Sequence, residues 1–229
     1  MEKMQQTMMK RYTMFAGLGL LIVLIAFLFS LQAANANAVF FSVDKLTREA
    51  ADVGTNIVAA NVTRHSIPHW VPSLKFLGLG ILLGAITMAL GLIATTLRDM
   101  GTDVTALWPK GLNPGTPEKP RSAKLFPMLM MMGWMILLIG FIWALVSNGT
   151  VTVYWANSIA NTLNPATEGS TLLRQLGAIE GVKPWLSALR YTGMAFVFTA
   201  ITVALTVIIR TLQHQERTLR NFVRARTAA

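Results

Sequence analysis

Residues 70–97 read WVPSLKFLGLGILLGAITMALGLIATTL, and residues 185–212 read WLSALRYTGMAFVFTAITVALTVIIRTL. The second stretch begins 115 positions after the first, and 11 of the 28 aligned residues are identical. Trp70 aligns with Trp185, and a glycine follows each tryptophan at the same distance. Each stretch is apolar over about the 20 residues that a helix needs to cross a hydrocarbon core of roughly 30 Å. We therefore predict two copies of one membrane-spanning unit.

The composition of the whole chain supports a membrane protein. Of its 229 residues, 53% are hydrophobic and only 13% are charged, which lies outside the range of soluble domains. Helices are the expected spanning form, because the short alternating strands of a membrane barrel are absent from the sequence. The fold class is predicted to be an all-α integral membrane protein with four transmembrane helices, at about residues 14–32, 74–97, 126–147 and 189–209.

The four spans are expected to form two repeated helical hairpins. Each half crosses the membrane twice, so both copies must run in the same direction and the repeat is parallel. Short amphipathic helices, with Ser42 and Ser170 as N-caps, are predicted in the outer loops. The domain organisation is then a first two-helix repeat, a cytoplasmic Pro/Gly linker, a second two-helix repeat and a basic cytoplasmic tail, at residues 1–97, 98–124, 125–212 and 213–229.

The distribution of lysine and arginine predicts the orientation. With both termini inside, 13 of the 20 bases lie on the inner side, which is the side that the positive-inside rule assigns to the cytoplasm. We expect a multi-pass protein of a bacterial inner membrane with both termini cytoplasmic. The bases flank the spans, so nucleic acid is not an expected partner. Two A-x-A matches within residues 34–38 resemble a signal-peptidase site, but a retained first helix is favoured.

Small residues form one stripe on each copy of the repeat. In lipid, helices associate through close packing, for which small side chains are needed. The predicted helix-packing residues are Gly80, Gly84, Thr87 and Gly91 in the first copy and Ala195, Thr199, Thr202 and Thr206 in the second. Trp70 and Trp185, at the ends of spans, are predicted interface anchors.

Candidate metal ligands are few. His65 and His69 stand four residues apart, a spacing that can chelate a metal on a helix, but Pro68 argues against a continuous helix through the pair. A methionine face could bind Cu(I), although methionine is also a common packing residue. Its members are Met128, Met131, Met132 and Met135. The chain has no cysteine, which excludes disulfides and iron–sulfur clusters, and no cofactor is expected.

The sequence offers no group of residues typical of catalysis. An enzyme would need a nucleophile with a base, converging carboxylates or a metal set, and a coupled carrier would need an acid within a span. We therefore expect a non-catalytic accessory subunit of a larger membrane complex of the respiratory, photosynthetic or oxygenase type. Its partners would be the lipid bilayer and other membrane-protein subunits. The alternative is a homo-oligomeric channel or small-solute transporter.

Overall fold

A computed structural model describes residues 2–106, 124–163 and 169–227, and these residues are almost entirely helical. The four long helices each contain a segment long and apolar enough to cross a membrane, which confirms the four predicted spans at that level. In chain order the helices are α1 (Glu2–Phe41), α2 (Lys45–Glu49), α3 (Asn56–Ala106), α4 (Leu125–Trp155), α5 (Ile159–Leu163) and α6 (Thr171–Thr227).

The long helices extend well beyond the predicted spans. The α1 helix continues through the Ala- and Asn-containing residues 33–38, because nothing there removes a backbone donor or forces a positive φ. The prediction of a Pro/Gly linker at 98–124 is wrong for residues 98–106, because these residues are helical and form the end of α3. Residues 107–123 lie outside the described part of the chain. The tail is helical to Thr227.

Pro68 does not interrupt α3, contrary to the sequence-based expectation. Both Pro68 and Pro72 lie inside this continuous helix. A proline removes one backbone hydrogen bond, but within a helical bundle neighbouring helices and polar side chains compensate for that loss. His65 and His69 are therefore one turn apart on the same helix.

The helix caps differ in part from those predicted. The N-cap of α2 is Asp44, which accepts from the Thr47 N–H at 3.0 Å and from its hydroxyl at 2.6 Å, and these bonds lower the pKa of Asp44. Ser42, the predicted cap, instead donates to Val39 O near the end of α1. Ser170 does accept from the Leu173 N–H at 3.2 Å, but the helix it caps is α6 itself rather than a separate short one.

The chain divides into two compact units, each built from parts of several helices. The connection unit, which contains α2 and α5, comprises Leu18–Gly80 and Trp134–Met194. The termini unit comprises Met1–Gly17, Ile81–Gly133 and Ala195–Ala229.

In the connection unit, α3 packs against α1. Trp70 meets Phe29 edge to face at 4.9 Å, beside the buried side chains of Ala26 and Val71. The short helices also meet, because the Ile159 N–H donates to a carbonyl at the end of α2. In the termini unit, α3 approaches α4 at Gly91 and α6 at Gly101. A Cβ at Gly91 would lie 3.4 Å from the Phe126 ring, and the Gln215 amide donates to Leu97 O beside Gly101.

Several boundaries recur along the chain. Among the described residues, the two with positive φ are Gly54 at 88° and Gly169 at 76°, which stand 115 positions apart just before α3 and α6. Positive φ is readily accessible only to glycine, so each marks a required turn. The helices α1 and α4 each end in a pair of aromatic residues. Phe40–Phe41 and Tyr154–Trp155 have ring separations of 5.2 and 4.9 Å, both at 87°.

Candidate functional site

A cluster of polar side chains lies among α3, α4 and α6 in the connection unit. Its members, called the polar cluster below, are Ser66, His69, Ser73, Ser147, Asn148 and Arg190. The three members on α3 are spaced three and four residues apart, which places them on one face of the helix. All three are buried, and Ser73 is only 1% exposed. A polar face within apolar helices therefore points into the protein.

Two hydrogen bonds of the cluster join α3 to α4. The Ser66 hydroxyl donates to Asn148 Oδ1 at 2.9 Å, and His69 Nε2 lies 2.7 Å from Ser147 Oγ. The Ser147 hydroxyl also donates to Trp143 O at 2.8 Å. His69 Nε2 and Ser147 Oγ thus form a hydrogen bond between α3 and α4, in which the tautomer of the imidazole decides which of the two donates.

Arg190 joins α6 to α3. Its Nε donates to Ser73 Oγ at 2.8 Å, and its Nη2 donates to His69 O at 3.2 Å. The ion pairs formed by the described residues are Lys45–Glu49, Lys183–Glu180 and Arg220–Glu216, none of which includes Arg190. The guanidinium group is thus held by neutral oxygens. A charge removed from water is costly unless it is hydrogen-bonded, which explains why Ser73 and a backbone carbonyl both accept from it.

A cavity of about 270 Å³ adjoins the polar cluster. Its charged lining residues are all bases, namely Arg64, Lys183 and Arg190. His65 and His69 line it as well, and the His65 ring stacks on Trp155 at 3.6 Å with an interplanar angle of 5°. Such a lining favours an anion over a cation.

The predicted histidine pair is brought to one cavity but is not arranged as a chelate. The His65 ring is stacked on Trp155, and His69 Nε2 is hydrogen-bonded to Ser147 Oγ. Within the described part of the chain, no group of three or more His, Cys, Asp or Glu residues could hold a metal ion. Of the two histidine rings, only that of His65 has no described hydrogen bond, and the described residues supply no third ligand.

The two predicted packing stripes lie in different surroundings. In α3, Gly80, Gly84 and Thr87 are buried and Gly91 is half-buried. The Trp134 indole donates to Gly80 O at 2.9 Å, and a Cβ added at Gly80 would lie 2.5 Å from Leu137 Cδ1. The α3 stripe thus allows a close approach to α4.

Within the described part of the chain, the stripe on α6 is left uncovered. Ala195, Thr199 and Thr202 are exposed and Thr206 is half-exposed. Each threonine hydroxyl donates to a carbonyl one turn earlier in the same helix, at 2.7, 3.0 and 2.8 Å in chain order. The stripe is therefore a surface of small side chains with its hydroxyls already bonded.

The predicted anchors and the methionine face are placed as follows. Trp70 packs against Phe29, whereas the Trp185 side chain is 69% exposed. The methionine side chains point outward rather than converging, with exposures of 59, 66, 39 and 59% for Met128, Met131, Met132 and Met135. An outward face of this kind resembles ordinary apolar helix surface more than a thioether site.

Sequence reasoning missed Arg190 and its partners. Arg190 is the second residue of the predicted span 189–209, and bases at the end of a span are commonly topological signals. Its partner Ser73 lies 117 residues earlier. A usable signal was present in α3, because Ser66, His69 and Ser73 repeat at helical spacing next to an apolar run.

Compared with protein families, with characterised proteins and with solved structures, the chain matches none. The structure therefore defines a class only: an all-helical chain whose four long helices are suited to crossing a membrane, as in a multi-pass membrane protein.

Proposed function

We propose that this protein is a non-catalytic accessory subunit that packs against a transmembrane helix of another subunit in a larger membrane complex. A respiratory, photosynthetic or oxygenase complex is the type of assembly proposed. The observation that carries this proposal is the uncovered stripe of small residues on α6, at Ala195, Thr199, Thr202 and Thr206.

The exposed surface of α1 provides a contrast within the same chain. There the exposed residues are large aliphatic ones such as Leu20, Leu24 and Leu28, at 52, 51 and 61% exposure. Large side chains suit contact with acyl chains, whereas small ones let a second helix approach closely. A surface that faces only lipid is expected to carry large side chains, whereas the stripe on α6 carries small ones.

The shape of the α6 surface also suits a helix partner. Phe198 and Leu205 are 54 and 44% exposed and follow stripe residues at a spacing of three. A ridge of large side chains beside a row of small ones is the surface that helices use when ridges pack into grooves. Because the threonine hydroxyls are already bonded within α6, covering them leaves no donor unsatisfied.

The polar cluster supports the non-catalytic part of the proposal. Its groups bond one another across helices, which stabilises a bundle in lipid. Acid–base catalysis would need a proton donor or acceptor positioned toward a substrate. Among the described residues that line the adjoining cavity there is no carboxylate, and of its two imidazoles one is stacked on Trp155 and the other is bonded to Ser147.

The parallel repeat and the orientation also belong to this proposal. The repeat is supported by the 115-residue spacing of Gly54 and Gly169 and by the matching aromatic pairs that end α1 and α4. The cytoplasmic placement of both termini in a bacterial inner membrane is supported by the distribution of bases.

Substitutions in the stripe test the proposal. Ala195→Leu and Thr202→Leu should each remove the protein from its complex in native gels of mildly solubilised membranes, because a large side chain blocks the close approach. Ala34→Leu is the matched control, since Ala34 is exposed on α1. The proposal is wrong if all three variants assemble like the wild type.

The homo-oligomeric channel or transporter is the alternative. A homo-oligomer would appear in the same gels as a larger species that contains only this chain. That species should be absent in the variants Ala195→Leu and Thr202→Leu. A partner polypeptide of different sequence in that species would exclude this alternative.

A further inference from the structure

A second cavity, of about 320 Å³, lies in the connection unit between the ends of α1 and α4 and the helices α2, α3 and α5. It is called the Asn61 cavity below. Its lining combines Arg48, Asn61 and Arg64 with the aromatic rings of Phe40 and Phe41. The surface is therefore cationic on one part and apolar on another.

The buried amide of Asn61 is the first sign of a ligand. Asn61 is 3% exposed, and its Nδ2 has no hydrogen-bond partner. A buried donor left without an acceptor destabilises the folded protein, so native proteins rarely keep one without a reason. An acceptor atom bound in the cavity would satisfy this group.

The two arginines are the second sign. The Arg64 guanidinium lies 4.1 and 4.8 Å from the ring centroids of Phe40 and Phe41, and that of Arg48 lies 5.3 and 5.0 Å from the same centroids. Two like charges on one pair of rings repel each other unless an anion lies near both. The acid of the lining, Glu49, already pairs with Lys45 at 3.6 Å.

The corresponding positions in the second half of the chain show which side chains can occupy such a helix end. The positions 115 residues after Asn61 and Arg64 are Leu176 and Ile179. There they pack in an apolar cluster with Tyr154 and Trp155, and Trp155 is the position 115 residues after Phe40. A helix end of this form can thus be filled by aliphatic side chains. The polar residues of the first half serve something other than packing.

We propose that the Asn61 cavity binds a phosphate group carried by an anionic phospholipid. The guanidinium groups and the Asn61 amide supply several N–H donors, and guanidinium forks match phosphate oxygens well. The cavity lies where the apolar segment Arg11–Phe41 ends, which is where a headgroup would stand if α1 crosses the membrane. Leu163, 55% exposed, also lines the cavity and could contact the glycerol or acyl portion.

Binding to the purified chain in detergent tests this proposal by native mass spectrometry. Phosphatidylglycerol, phosphatidylcholine and inorganic phosphate are titrated separately. We expect retained phosphatidylglycerol adducts, and much weaker ones with phosphatidylcholine, whose choline offsets the phosphate charge. Adducts of inorganic phosphate with similar affinity would assign the same site to the free anion instead of the lipid. Equal retention of both lipids would overturn the proposal.

Two variants make the site assignment specific. Asn61→Asp keeps the side-chain size but places a carboxylate at the phosphate, and Arg64→Ile installs the residue found 115 positions later. Each should weaken binding roughly tenfold or more, since a charge-assisted hydrogen bond is worth about 1.5–3 kcal/mol. Arg174→Ile, on the exposed surface of α6, is the control and should bind like the wild type. Unchanged binding in Asn61→Asp and Arg64→Ile would contradict the proposed site.

Discussion

Arg190 shows how a single side chain can hold two apolar helices together. It bonds the Ser73 hydroxyl and the His69 carbonyl of α3 from its position on α6. Neither partner is charged, so the interaction depends on geometry rather than on an ion pair. Ser73 is almost fully buried, so its hydroxyl depends on neighbouring side chains for a hydrogen-bond partner.

Replacement of Arg190 by methionine should destabilise the protein. Arg190→Met keeps most of the apolar length but leaves the Ser73 hydroxyl without its donor, at a cost of about 1–3 kcal/mol. The measurement is detergent unfolding followed by circular dichroism. The matched control, Arg174→Met, removes only an exposed contact to Thr171 and should change stability by about 0.5 kcal/mol or less. Equal effects of the two substitutions would show that Arg190 is not a structural link.

At the same scale, the sequence revealed the histidines but not their roles. His65 and His69 stand out because histidine is rare in this chain, yet their partners Trp155 and Ser147 come from another helix. Contacts between residues that are far apart in sequence cannot be inferred from local spacing. The Asn61 cavity was missed for the same reason, because its lining comes from five helices.

At the scale of the helices, hydropathy located the spans but not their ends. Periodicity and apolar runs identify the part of a helix in lipid, whereas α1, α3 and α6 continue past it with polar residues. Pro68 was read as a helix breaker, but local rules do not include the packing that retains it within α3. The small-residue stripe on α3 was predicted as a packing surface, and α4 approaches α3 closely at two of its glycines, Gly80 and Gly91.

Two glycine-to-leucine substitutions test whether α4 packs closely against α3 at Gly80. Gly80→Leu should destabilise the protein by about 1–3 kcal/mol, because the new side chain enters space held by Leu137 and Trp134. Gly17→Leu is the control, since a Cβ at Gly17 would meet nothing within 4 Å. Leucine has the higher helix propensity, so the control should be neutral or slightly stabilising. The measurement is thermal unfolding in detergent. Equal stability of Gly80→Leu and Gly17→Leu would contradict the close packing of α4 against α3 at Gly80.

At the scale of the whole molecule, composition was the most informative property. It indicated a four-span membrane protein, and the structure has four helices suited to that role. The orientation follows from the bases alone and remains a prediction. The existence of a partner subunit is also a prediction. It is supported by the shape of the uncovered α6 surface, which fits a second helix.

Labelling of single cysteines tests the orientation, and the cysteine-free chain gives no background. Ala50 and Arg217 are both exposed and belong to segments predicted to lie on opposite sides. An impermeant thiol reagent should label Ala50→Cys in intact cells and Arg217→Cys only after permeabilisation. The reverse pattern would place the base-rich side outside.

Photo-crosslinking from α6 tests the central claim most directly. A photoreactive amino acid replaces Thr202 on the stripe or, as the control, Leu28 on the exposed surface of α1. Illumination of native membranes should link position 202 to one membrane polypeptide of different sequence, and Ala195→Leu should abolish that product. Position 28 should give lipid adducts only. If position 202 also yields only lipid adducts, α6 faces acyl chains and the proposed role as a packing subunit is contradicted.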